Sequence, residues 1–226
     1  MILKQWNEKL QYLKKIIYNA EKIDEIKEII LELHGKMFVS EMSEAKSKTF
    51  EDELWENLDE ETIRNSTNEK GRTIAYGIWH STRIEDITVN ILINDSNQIF
   101  EDGDWQKKIK SPIKDTGNAL TTEKILEFSC CIDIEELKKY RIAVGKKTGE
   151  IIKNLSSKDL KRKMKKESLN RILEEGAVEN VEGSNWLIDF WGRKNVAGII
   201  FMPVLRHHSV YLNESLKAKK RKNKGT

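Results

Sequence analysis

The strongest constraint on this chain is a spacing. Apolar residues recur in steps of three and four along four stretches, near residues 24–38, 73–93, 133–155 and 195–216. Ile26, Ile29, Ile30, Leu33 and Met37 make the first stripe; Ile74, Ile84, Ile87 and Ile91, with Gly77 and His80, make the second. Leu137, Tyr140, Val144, Ile151 and Leu155 mark the third, and Val196, Ile199, Ile200, Val204, His207, Val210 and Tyr211 the fourth. This is the period of an α-helix, and each stripe must be covered by another element. The run Ile87 to Ile93 is rich in β-branched residues, yet the helical period persists across the longer window and predicts helix. Only 2 prolines and 12 glycines interrupt 226 residues, which suits helices better than turn-rich β structure. The expectation is an all-α single domain with at least four long helices, and Trp6, Leu10, Leu13 and Ile17 predict a shorter one upstream.

Local signals fill in the rest. Thr121 or Thr122 is placed to cap a helix through Phe128, and Asp133 followed by Glu136 resembles a capping box for the helix that ends near Leu155. Residues 40–70 read as a polar connector with one or two short helical turns, and 94–117 as a long excursion carrying turn chemistry at Asp102-Gly103-Asp104 and Ser111-Pro112. Two further short helices fit before Gly176. Pro203 lies inside the last stripe, where it removes the hydrogen bond to the Ile199 carbonyl and predicts a kink one turn before His207.

Charge narrows the class of function. The net charge is +3, but Lys217, Lys219, Lys220, Arg221, Lys222 and Lys224 crowd into the last ten residues, so residues 1–216 sum to −3. A mildly acidic body points away from specific nucleic-acid binding. The reading is a domain over 1–216 and a solvated, dispensable basic tail over 217–226. The two cysteines, Cys130 and Cys131, are adjacent and supply no disulfide framework, which favours a reducing compartment; buried packing is preferred for them over a reactive thiol pair. The first ten residues contain no signal-peptide h-region, and the longest apolar stretch, Val196 to Leu205, contains Gly198 and Pro203. It falls short of the roughly 20 residues of a membrane span. A cytoplasmic protein that does not act on membranes is expected.

The histidines carry the chemistry. His34, His80 and His207 belong to three different predicted helices and each points to the inner face, while His208 is rotated about 100° from His207. One histidine on an apolar face is an ordinary core residue. Three can converge on a divalent ion such as zinc, nickel or iron, with a position left for water or substrate. Glu85, five residues beyond His80, reads as a helix-surface or outer-layer contact and not as a ligand.

The segment Trp79-His80-Ser81-Thr82-Arg83-Ile84-Glu85-Asp86 resembles the second-helix histidine motif, WHxxRxED, of the DinB-like (DinB/YfiT) superfamily, and Arg206-His207-His208-Ser209-Val210-Tyr211-Leu212-Asn213 is similar to its HxxxHxxQ-type segment. The resemblance extends over most of residues 24–216. It implies an up-up-down-down four-helix bundle holding a divalent metal, zinc or nickel, and relatives that include thiol-dependent transferases and isomerases. Matched residue by residue, His80 is the second-helix ligand and His207 the first histidine of the last-helix pair. Tyr211 occupies the second, where a phenol with a reference pKa near 10 makes a poor ligand. His34 on the first bundle helix is then the donor for the missing nitrogen, giving His34, His80 and His207 as the expected set and His208 as the substitute for His207. The function implied is a metal-dependent (thiol) transferase or hydrolase acting on a small molecule or a low-molecular-weight thiol, in a monomer or homodimer. The alternative is a non-catalytic helical bundle serving as an interaction or stress-related module.

Overall fold

The computed structural model describes residues 2–179 and 181–222. Helices joined by turns and loops make up those residues, with no β-strand among them and only two isolated bridges, Thr67 with Thr73 and Lys163 with Asn195. The long elements are α1 (Ile2–Ile16), α2 (Ile23–Gly35), α3 (Ile74–Asp86, continued by a π-helix over Ile87–Ile93), α4 (Ile134–Asn154) and α5, which runs through Val196–Ile199, a π-helix over Ile200–His207, and His208–Lys222. No helix among the described residues is long and apolar enough to cross a membrane.

α3 sits at the centre. It packs on α4 and on the last part of α5, while α2 packs on α1, on α4 and on the π-helical part of α5. Every residue from Ile74 to Ile93 is buried, so the helix is covered on all sides and not along one stripe. Gly77 lets α5 come close: a Cβ there would lie 3.3 Å from Ser215 Oγ and 3.4 Å from the Tyr211 ring. The predicted caps are present, Thr121 accepting from the Lys124 amide and Asp133 from the Glu136 amide. The connector over 40–70 holds three short helices, Ser40–Ser43, Phe50–Trp55 and Glu60–Asn65.

Pro203 lies in a π-helical stretch, whose widened turn takes up the missing N–H. Two expectations change. The predicted basic tail is in part structural, since α5 continues through Lys222 and Ala218 is buried in the core. Lys219 Nζ donates to the backbone carbonyls of Glu53 and Leu54, both at 3.0 Å, and to that of Glu56. A charge run read along the chain looks solvated, but here one ammonium satisfies the open carbonyls at the end of a neighbouring helix. Residues 223–226 lie outside the described residues. Finally, Cys130 and Cys131 are both exposed, not buried.

Candidate functional site

The motif segment of α3 is buried on all sides, so each of its polar groups needs a partner within the protein. Arg83 donates to Asp86, to the Tyr140 hydroxyl, to Gln98 and to the Lys114 carbonyl. Asp86 also accepts from the backbone amides of Ile99 and Phe100, both at 2.9 Å. The pair thus pins the 94–117 excursion onto α3. Ser81 and Thr82 accept from Arg141 of α4, whose guanidinium also holds Glu51 through Nε, at 2.8 and 2.9 Å, and the Met37 carbonyl at 2.8 Å.

Glu85 is fully buried and joins three helices. Its carboxylate accepts from His34 Nε2 at 3.0 Å, from Thr148 Oγ1 at 2.6 Å and from His208 Nε2 at 2.5 Å. Burial pushes its pKa up, but the His34 and His208 rings outweigh that and hold it well below the usual carboxylate range. The tautomer of His208 follows from its other partner. Arg141 Nη1 lies 3.2 Å from His208 Nδ1, and a guanidinium can only donate, so Nδ1 carries the lone pair and Nε2 the proton given to Glu85. Both nitrogens of His208 are therefore engaged, and burial lowers its pKa to about 4, against the opposing pull of Glu85.

His80 faces another set of neighbours. Its Nδ1 lies 2.7 Å from the Thr116 carbonyl oxygen, so Nδ1 bears the hydrogen and Nε2 carries the lone pair. Tyr76 stacks on the ring at a centroid distance of 5.4 Å and donates its hydroxyl to the Gly117 carbonyl at 3.1 Å. Gly117 adopts φ +70, a turn that places these two carbonyls side by side over α3. His80, His207 and Tyr211 form a triangle of rings with centroid separations of 5.1, 4.9 and 4.8 Å. The His207 Nδ1 atom is buried and has no hydrogen-bond partner. Burial lowers the pKa of His80 to about 4 and that of His207 well below the ordinary value, so both are neutral imidazoles at pH 7. Burial raises the Tyr211 phenol well above its ordinary range. At the rim, the Arg72 guanidinium covers the Tyr211 ring at 5.2 Å.

The structure thus brings together two of the three expected ligands, His80 and His207, and places Tyr211 beside them. It engages His34 elsewhere, with Glu85 and His208. Among the described residues no group of three or more His, Cys, Asp or Glu side chains is set to hold a metal ion. His208 is unsuited to replace His207, because Arg141 and Glu85 occupy its two nitrogens. The reading of Glu85 as a helix-surface residue gives way to a buried hub. Arg141 and Thr148 were missed, although a signal was present: both share the face of α4 that carries Leu137, Val144 and Ile151, where a polar side chain must have a buried partner.

No family model matches the chain, and no curated protein is similar to it.

Proposed function

We propose that the chain is a divalent-metal protein of the DinB-like kind, binding zinc or nickel through His80 and His207, with the Tyr211 ring beside them. Its four long helices α2 to α5 would then take the up-up-down-down order that the motif resemblance implies, as a monomer or a homodimer. One observation carries the reading: two neutral imidazoles meet in ring contact, one with its lone pair on Nε2 and the other with an unpartnered buried Nδ1. The Thr116 carbonyl plays the part of the outer partner that fixes a ligating histidine's tautomer. A divalent ion held there would acidify a bound water or thiol and polarise a small-molecule substrate, the chemistry of a transferase or hydrolase. The chain's own contributions are to keep the imidazoles neutral by burial, to hold a proton at Tyr211 Oη, and to bring the positive charge of Arg72 to the rim.

Equilibrium dialysis of the purified protein against zinc or nickel at pH 7.5, with metal content read by mass spectrometry, tests this. Stoichiometric uptake is expected, abolished in His80→Ala and His207→Ala and kept in His34→Ala. No uptake by the unaltered chain, or full uptake by His80→Ala, overturns it. The phenol of Tyr211, where the motif elsewhere supplies a better ligand, favours a second reading, a non-catalytic helical module. That reading expects no metal-dependent change in thermal stability.

A further inference from the structure

Between α2 and α4 the surface opens into a cavity of about 790 Å³, bordered by residues 42–47. Its size is that of a small-molecule site, and nothing in the metal reading uses it. Two glycines on one face of α4 border it for different reasons. Gly145 is required by packing, since a Cβ there would come within 2.8 Å of Phe38 and 2.9 Å of Met42. Gly149 is not: a Cβ would meet only Leu31, at an ordinary 3.8 Å. The space in front of it is left open by the protein, although glycine inside a helix costs about 1 kcal/mol relative to alanine.

The wall combines apolar surface from Leu31, Met42 and Ala45 with an unbalanced charge. Four lysines and three glutamates line it, which alone would be close to neutral. Two of the glutamates are already used by lysines outside the cavity, Glu32 by Lys9 and Glu150 by Lys147 at 3.6 Å. Lys36 is turned to the Ser47 hydroxyl at 2.8 Å. Lys46, Lys146 and Lys153 have no carboxylate partner among the described residues, and only Glu44 remains to offset them. The cavity thus joins an apolar patch to a surplus of exposed lysines.

We infer that this cavity binds a small organic anion with a ring-bearing apolar body, a carboxylate or sulfonate whose charge meets Lys46, Lys146 and Lys153 while its rings lie against Leu31, Met42 and the open face of Gly149. Two fluorescent probes that share one ring system test it. 8-Anilinonaphthalene-1-sulfonate carries the anion; N-phenyl-1-naphthylamine lacks it. The sulfonate is expected to bind saturably at one site per chain, about tenfold tighter than the neutral amine, a difference of about 1.4 kcal/mol. Gly149→Leu, which fills the cleft and raises helix propensity, is expected to weaken the sulfonate about tenfold without lowering the melting temperature. The double variant Lys146→Glu, Lys153→Glu is expected to remove the preference for the sulfonate over the amine. Equal affinity for the two probes, unsaturable binding, or unchanged sulfonate affinity in a folded Gly149→Leu protein overturns the inference. Metal uptake by His80 and His207 plays no part in these outcomes, so failure here and failure of the metal reading are separate.

Discussion

The two histidine clusters on either side of α3 differ in one respect that matters. Around Glu85, both nitrogens of His208, His34 Nε2, the Thr148 hydroxyl and the Arg141 guanidinium all meet partners inside the protein. Around His80, one nitrogen is fixed by a backbone carbonyl, and His207 Nδ1 is buried with nothing bound to it. A satisfied buried network contributes to folding and specifies how helices meet. A buried nitrogen without a partner costs free energy. Identical side chains thus sit in opposite environments, according to whether the protein itself completes their hydrogen bonds.

The largest test of this contrast is Glu85→Ala. It leaves two imidazole N–H groups and a hydroxyl buried without their acceptor, so denaturant unfolding is expected to show a loss of about 3–5 kcal/mol. A loss below about 1 kcal/mol would place Glu85 outside the folding network.

Acid should expose both clusters. The pKa values of His80 and His208 are lowered to about 4 in the folded chain, from 6.5. Between those values the unfolded chain binds more protons than the folded one, so stability is full above about pH 6.5 and falls as pH drops toward 4. Glu85, also lowered, adds a loss in the same direction below its ordinary value of 4.5. In urea titrations across this range, His80→Ala should flatten the slope by up to one proton. A slope unchanged in that variant would mean that His80 is protonated equally in both states.

Chain ends offer a smaller effect. Truncation after Leu216 removes the buried Ala218 and the Lys219 bonds to the Phe50–Trp55 helix end, with an expected cost of about 1–3 kcal/mol in thermal unfolding. The smallest effect is the most discriminating. His207→Phe keeps a ring in place and removes the unpartnered nitrogen, so stability of the metal-free protein should stay within about 1 kcal/mol, or rise, while metal uptake is lost. A marked destabilisation would make His207 a structural residue like His208.

Much of this architecture is local in origin and was therefore legible. A stripe such as Ile26, Ile29, Ile30 and Leu33 encodes a helix through its own spacing, and Thr121 and Asp133 encode their caps through the next three residues. Of the site, the chain itself announced His80 and His207 as inward imidazoles on separate helices. It could not announce that His34 belongs with Glu85, because that pairing spans fifty-one positions and depends on how α2 packs on α4 and on the π-helical part of α5. Nor could it give the register of the last helix. Pro203 shows in the sequence that a backbone hydrogen bond is missing, but not how the turns around it are wound, and the sequence does not choose. Packing does: with the π-helical turn over Ile200–His207, His207 reaches the His80 ring while its neighbour His208 reaches Glu85. The sequence by itself determined where the long helices form, since that depends on residues three and four apart. Only the tertiary structure decided which imidazole is completed by the protein and which is left open, since that depends on atoms brought together from distant parts of the chain.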